Sequence, residues 1–157
     1  MGFFFISPLS IAENISELIQ TINLLEIFKL NTPKYFDPLE IKDFEQYLEQ
    51  ESDTYLVVEM DDEVVGGTGY YVNQSDQSGR ITWIFFDPKC SGQGLGRTSV
   101  EHCLELLRKE KGVDKFIVTT SQLAYKFFEK FGYHITRTEK DYWGKGLDLY
   151  EMEMSNL

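Results

Sequence analysis

The residues from Ile81 to Leu107 combine types and spacings suited to holding an anion. Ile81-Thr82-Trp83-Ile84-Phe85-Phe86 is almost wholly apolar or β-branched, as a central strand buried on both faces should be. Asp87-Pro88 stops it. Ser91-Gly92-Gln93-Gly94-Leu95-Gly96-Arg97-Thr98 then opens a helix with Val100, Cys103, Leu104 and Leu107 on its core face, ending near Gly112. Glycines let a backbone take positive φ and come close to a ligand. The first N–H groups of a helix lack internal partners, so such a loop binds a phosphate or pyrophosphate through those donors and the helix dipole. Lys89 and Arg97 stand nearby.

Two common phosphate motifs do not fit. A P-loop ends in Gly-Lys-Ser/Thr, but Gly96 is followed by Arg97-Thr98. The dinucleotide fingerprint Gly-x-Gly-x-x-Gly fails from Gly92 and from Gly94, because Arg97 or Ser99 takes the last glycine position. It also belongs on a first strand, and this is the fourth. A glycine turn that merely tightens a strand-to-helix connection is the structural alternative.

The elements that must position this loop follow from periodicity. Phe3 to Ser7 reads as a buried first strand. Ser10 and Glu13 form a capping box, and Ile11, Ile15, Leu18, Ile19 and Ile22 recur at helical spacing in a helix running to about Leu30. Asn31 to Phe36 is a loop. Asp37-Pro38-Leu39-Glu40 opens a second helix, with Asp as cap, Pro at the first position and Glu three after the cap. Ile41, Phe44 and Leu48 make its apolar face. Strands follow at Thr54 to Met60 and Val64 to Val72, joined by Asp61-Asp62-Glu63. Asn73 to Gly79 reads as a polar loop. Beyond the glycine loop come a strand from Lys115 to Thr120 and a helix capped by Ser121, carrying Leu123, Phe127, Phe128 and Phe131 and closed by Gly132. The last strands are Tyr133 to Arg137 and Leu147 to Met154, with Trp143 in the loop between. This order predicts an α/β fold with a mixed sheet.

The 157 residues suit one domain, 1–157, with a core of its own. A net charge of −11 argues against nucleic acid, which needs a basic face; it would draw a cationic substrate, and it equally suits a soluble protein that is acidic for no functional reason. No apolar run reaches the roughly 18 residues of a membrane span. The start, Met1-Gly2-Phe3-Phe4-Phe5-Ile6, has no basic leader, and Ile6 breaks the myristoylation pattern. Cys90 and Cys103, with His102 and His134, form no metal-ligand spacing. No metal, no membrane and a reducing cytoplasmic setting are expected. Cys90 stands before the helix start, where a thiol pKa can fall, but no histidine lies near in sequence and it reads as inert.

Ser91-Gly92-Gln93-Gly94-Leu95-Gly96 after an apolar strand resembles motif A of the GNAT superfamily, the (Gln/Arg)-x-x-Gly-x-(Gly/Ala) loop that binds the pyrophosphate of coenzyme A. Ser121, Ala124, Phe127, Phe128, Gly132 and Tyr133 fall on that family's later pattern, Asn-x-x-Ala-x-x-Phe-Tyr-x-x-x-Gly-Phe. One strand separates the two motifs, as in the family, and the resemblance covers essentially the whole chain. It implies a GNAT-like fold, with a mixed sheet of six to seven strands flanked by about four helices. It also implies an acetyl-CoA-dependent N-acetyltransferase moving an acetyl or short acyl group to a primary amine, small or protein-borne, by direct attack in a ternary complex. A homodimer would suit the family.

The acyl-CoA site implied is Phe85, Phe86, Ser91, Gly92, Gln93, Gly94, Leu95, Gly96, Arg97, Thr98, Ser121, Ala124, Phe127 and Phe128. A backbone N–H around Phe85 or Phe86 would meet the developing oxyanion. Three positions depart from the pattern: Ser91 replaces Gln/Arg, Ser121 replaces Asn, and Phe128 replaces the Tyr that many members use to protonate the leaving thiolate. The central strand offers Thr82 where many relatives carry a Glu. Glu59 and Asp87 are candidate bases, Tyr125 a candidate acid, and Tyr142-Trp143-Gly144 a candidate wall of the acceptor pocket. Each also has an ordinary reading, as a solvated, turn-forming or packing residue. The alternative function is a non-catalytic acyl-CoA-binding sensor or partner subunit.

Overall fold

A computed structural model describes residues 4–9 and 15–156, with side chains in the first helix from Leu18 onward. In chain order the elements are β1 (Phe4–Pro8), α1 (Ile15–Leu30), α2 (Glu40–Glu51), β2 (Tyr55–Met60), β3 (Glu63–Asn73), β4 (Ser78–Phe86), α3 (Leu95–Arg108), β5 (Lys115–Thr120), α4 (Tyr125–Glu129), β6 (His134–Gly144) and β7 (Leu147–Ser155). The strands form a single seven-stranded sheet in the order β1-β2-β3-β4-β5-β7-β6. All neighbours run antiparallel except β4 and β5. No helix among the described residues is long and apolar enough to cross a membrane.

The period of two along β2 divides the core between the sheet's faces. Tyr55 and Val57 join Leu24, Ile27 and Phe28 of α1, Phe44 and Leu48 of α2, and Phe85. Leu56 joins Val100, Leu104 and Leu107 of α3, with Phe116, Val118, Phe128 and Met152. Each fully buried large apolar side chain contributes about 1.5–3 kcal/mol, so both faces clamp β4 between them.

Several sequence expectations are corrected. The capping box at Ser10 and Glu13, with Ile11, lies outside the described residues. The first strand is an edge strand rather than a buried one: among the described residues β1 pairs only with β2, and Phe5 is 69% exposed. In α1 the residues at helical spacing, Leu18, Ile19 and Ile22, are about half exposed, while Leu24, Ile27 and Phe28 carry the core. Apolar residues surround this helix, so spacing alone could not choose its inner face. The expected loop from Asn73 to Gly79 contracts to a turn, because Asn73 Oδ1 and Asp76 Oδ1 accept the N–H groups of Ser75 and Ser78 and fold it tightly. Ser78 and Gly79 are buried strand residues, and a Cβ on Gly79 would crowd Leu107 and Phe116.

At the other end of the chain, α4 is short. Ser121 Oγ does accept the Leu123 N–H at 3.2 Å, but Leu123 is exposed rather than core-facing. Trp143 lies in β6, not in a loop. That edge strand needs no apolar alternation, so Arg137 to Asp141 read as a break although they pair with β7 or flank its bulge. Finally, Thr82, Trp83, Ile84 and Phe86 of β4 are only half-buried. The strand is central, fourth of seven, but one side of it opens.

Candidate active site

That opening comes from the one parallel pair. β4 and β5 are in register from Ser78↔Lys115 to Ile81↔Val118 and no further. Beyond this point the strands diverge, and a cleft of about 1030 Å³ is lined by Ile81–Phe86 on one side and Val118–Ser121 on the other. The glycine loop stands at this cleft.

The loop is shaped by backbone conformation. Asp87 Oδ1 accepts the Lys89 N–H at 3.0 Å in a 3₁₀ turn, Pro88–Cys90, that carries the chain away from β4. Gly92 and Gly94 have φ of +83° and +77°, and a Cβ at either would meet no atom within 4 Å. These glycines are needed for conformation and not for packing. Gly96 differs, because a Cβ there would touch the Phe127 ring at 3.1 Å. Among the described residues, no backbone hydrogen bond uses the N–H groups from Gly92 through Arg97; the next donor, Thr98 N–H, reaches Gly94 O at 3.1 Å. An unpaired run of donors at the start of the long helix α3 fits a pyrophosphate.

Of the residues singled out in the sequence, Phe85, Phe86, Ser91, Gly92, Gly94 and Leu95 line the cleft. So do Gly96, Arg97, Ser121, Ala124, Phe127 and Phe128. Gln93 and Thr98 do not; both are exposed. Trp143 lines it, with its Nε1 donating to Thr120 O at 3.0 Å, whereas Tyr142 lies outside, edge-on to Trp143.

The candidate acids and bases fare differently. Glu59 accepts from Gln20 Nε2 at 2.9 Å and is not a cleft residue. Tyr125 packs on Tyr150 with ring centroids 4.8 Å apart, also outside the cleft. Asp87 lines the cleft but is 9% exposed, caps the Lys89 N–H and pairs with Lys89 Nζ at 3.6 Å. Cys90 is buried, and that burial pushes its thiol up, with the Asp87 charge adding to it. The thiol is therefore less reactive than an exposed one.

The cleft also depends on groups that sequence reasoning missed. Trp83 has φ +50°. Gly67 pairs with Phe85 and Gly69 with Thr82, so β4 carries an extra residue there, a bulge. Left-handed backbone costs a non-glycine residue about 1–2 kcal/mol. The neighbours offset this. Tyr55 donates its hydroxyl to Trp83 O at 2.9 Å, a bond worth about 1 kcal/mol, and the indole packs among Phe28, Phe36, Phe44 and Tyr47. Buried Asn31 holds the strand's end, donating Nδ2 to Phe86 O and Ile27 O, both at 2.9 Å. The sequence signal was the glycine stripe of β3, since glycine inside a strand marks a bulge or a close approach. A Cβ on Gly67 would overlap Tyr55, and one on Gly69 would overlap the Tyr47 hydroxyl.

Glu40 also lines the cleft, as do Lys34, Tyr35 and Phe36. Asp37 Oδ1 accepts the Leu39 N–H at 2.9 Å, and Glu40 Oε1 accepts the Asp37 N–H at 3.2 Å. These bonds close the turn before α2 and do not cap it: the helix begins at Glu40 with Leu39 at its N-cap, so the expectation of Asp37 as cap and Pro38 as first helical residue is corrected by two residues. Burial pushes the Glu40 carboxyl up to about 7; the Asp37 N–H opposes the shift, and the charges of Asp37 and Asp43 add to it.

The fold has many solved counterparts. Ard1 from Thermoplasma volcanium superposes with a TM-score of 0.77 at 17% identity, covering 98% of each chain. The ribosomal-protein-S18-alanine N-acetyltransferase from Escherichia coli gives 0.73 at 18% identity, over 98% of this chain and 94% of that one. An aminoglycoside 6'-N-acetyltransferase complexed with coenzyme A gives 0.71 at 15% identity, over 98% and 97%. No curated protein sequence matches the chain. The model of the acetyltransferase (GNAT) family matches residues 22–133, well over half the length, and takes in the glycine loop, the bulged strand and the later motif together. The chain belongs to the GNAT acetyltransferase family.

Proposed function

We propose that this protein transfers an acetyl or short acyl group from acyl-CoA to a primary amine, by direct attack within a ternary complex. The observation that carries this reading is the run of unpaired N–H donors from Gly92 to Arg97 at a cleft that continues along the unpaired half of β4.

Each segment of the cleft has a task under this reading. The loop donors, with Arg97, hold the pyrophosphate of coenzyme A. The side of β4 that β5 leaves free offers backbone groups to the two amides of the pantetheine arm, much as a strand edge accepts an extended peptide. Ser121, Ala124, Phe127 and Phe128 flank that arm. The thioester then lies by the bulge, where a backbone N–H of Phe85 or Phe86 meets the oxyanion that develops as the amine attacks. Tyr55 and Asn31 fix the carbonyls of this stretch, so its geometry is set before substrate arrives.

Phe128 has no hydroxyl, so solvent supplies the proton taken up by the leaving thiolate. This is tolerable because a general acid contributes about 10²–10⁴-fold, whereas orienting two bound reactants supplies effective molarities of about 10⁵–10⁸ M. The net charge of −11 favours approach of a cationic amine over an anionic one.

Thiol detection tests this directly. The protein would be incubated with acetyl-CoA and a panel of polyamines, aminoglycosides, amino acids and peptides with free N-termini, with acetyl-CoA binding measured in parallel by calorimetry. Release of coenzyme A that depends on one class of amine is expected. Failure to bind acetyl-CoA would overturn the reading, and binding with no turnover on any amine would favour a sensor.

A further inference from the structure

We propose that Glu40 is the general base for the acceptor amine and the group that makes the pocket select a cationic one. The inference rests on the acyl-transfer reading above, and three observations carry it.

The first is position. Glu40 opens α2 at the wall of the same cleft that holds the Thr82–Phe86 backbone and the glycine loop. Its Oε1 takes the N–H of Asp37, the residue after Phe36, whose ring stacks on Trp83 with centroids 6.1 Å apart.

The second is elimination. Among the described residues, the carboxylates lining the cleft are Glu40 and Asp87. Asp87 is committed to the Lys89 N–H and ammonium. β4 itself carries no acid.

The third is bonding. Oε1 of Glu40 takes the Asp37 N–H, which fixes the carboxylate's orientation, and among the described residues no donor meets Oε2. The charges acting on Glu40 from its own segment, Asp37 and Asp43, are both negative. The other titratable groups of the cleft are Lys34 and Tyr35 before α2, Asp87 and Cys90 after β4, Arg97 in α3 and Lys130 after α4. Among the described residues, none of these cations forms an ion pair with Glu40. A half-buried carboxylate among acidic neighbours and without a basic partner is a place for an ammonium ion. Its pKa, raised by burial to about 7, suits proton exchange at neutral pH.

The proton balance is simple. The bound ammonium gives one proton to Glu40 and becomes a neutral amine. The amine lone pair forms the C–N bond at the thioester carbonyl, the C–S bond breaks, and its electron pair leaves on sulfur. The second nitrogen proton is lost as the amide forms, and the thiolate takes up a proton from solvent. Glu40 returns its own proton to solvent, so each turnover releases one proton overall.

Glu40→Gln is the test, because glutamine keeps an acceptor oxygen for the Asp37 N–H and thus the helix start. Two measurements are made on the full chain. In the first, the Glu40 carboxyl is titrated by ¹³C NMR, assigned by its absence in E40Q, with no substrate present. A midpoint near 7 is expected; one below about 5, the ordinary carboxylate range, overturns the proposal. In the second, kcat/KM for whichever panel amine turns over is followed against pH. The wild type should rise with pH through about 7, because the carboxylate is the working form. E40Q should lose roughly 10²–10⁴-fold together with that limb, while its affinity for acetyl-CoA stays within about twofold. Retention of kcat in E40Q, with or without a change in KM, overturns the base. A wild type that binds acetyl-CoA but acylates none of the amines sinks the acyl-transfer reading and the base with it. Active wild type with equally active E40Q sinks the base alone.

Discussion

Under the proposed reading the groups that work at the glycine loop are main-chain N–H donors, in a turn shaped by glycines at φ +83° and +77°. Elsewhere the site is made by side chains gathered from across the chain: Asn31 at the end of α1, Glu40 opening α2, Trp83 in β4 and Trp143 in β6 line the cleft, and Tyr55 of β2, fully buried behind it, holds Trp83 O. A site made of backbone depends on conformation and is indifferent to most of its side chains. A site made of side chains depends on the packing of every element that delivers them. The first can be written in eight consecutive residues, Ser91 to Thr98, while the second is dispersed over more than a hundred.

Substitutions can break or sharpen that contrast. The largest effect should come from Gly94→Glu, which puts a Cβ and a negative charge where φ is +77°, in the loop proposed to hold the pyrophosphate. Calorimetry should show acetyl-CoA binding weakened by roughly 100-fold or more, about 2.8 kcal/mol, in a protein whose far-ultraviolet circular dichroism is unchanged. Next is Gly67→Ala. Its methyl would need the space held by the Tyr55 ring and hydroxyl and by Leu56 O. Overpacking of this kind costs about 1–3 kcal/mol, read as a fall of several degrees in Tm.

Tyr55→Phe is milder, removing only the bond to Trp83 O. Stability should drop by about 1–2 kcal/mol, and kcat by roughly tenfold through the loosened bulge, with acetyl-CoA affinity kept. Equal losses in kcat and cofactor affinity would mean that the two parts are not separable. The smallest effect belongs to Gln93→Ala, which deletes an exposed side chain from the loop and leaves its N–H in place. Binding within about twofold of wild type is expected; a large loss would show that the loop acts through a side chain after all.

The same contrast explains what could be read from the residues beforehand. Glycine has a conformational meaning wherever it stands, so Gly92-Gln93-Gly94 before an amphipathic helix announced its own geometry. Strands packed on both sides were equally plain, as Leu56 and Val57 of β2 show. The edge strands were only partly so: β1 was legible as a strand but not as an exposed one, and Arg137 to Asp141 of β6 face solvent and follow no core pattern. Glu40 was hidden by its own legibility. Its place three after Asp37 marked it as part of a helix start, and nothing local says that it can take the Asp37 N–H on one oxygen while its carboxylate lines a cleft. Asn31 and Tyr55 were silent for a related reason. Their partners, Phe86 O and Trp83 O, lie 55 and 28 residues away.

The parting of β4 from β5 has a mechanical consequence. Among the described residues, strand pairing joins the sheet's two blocks, β1 to β4 and β5 to β7, only along the short parallel register that ends at Ile81 and Val118. They are therefore fastened like a clothes-peg, closed at one end and free at the other. Anything lying along the open jaw bridges the blocks and stiffens a seam that the polypeptide leaves unsewn. Ligand at 100 times its dissociation constant adds about 2.7 kcal/mol to a folded state that alone binds it, a sizeable share of the 5–15 kcal/mol that holds a typical domain together. The endurance of this protein, and not only its activity, would then follow the supply of the molecule that fills the gap.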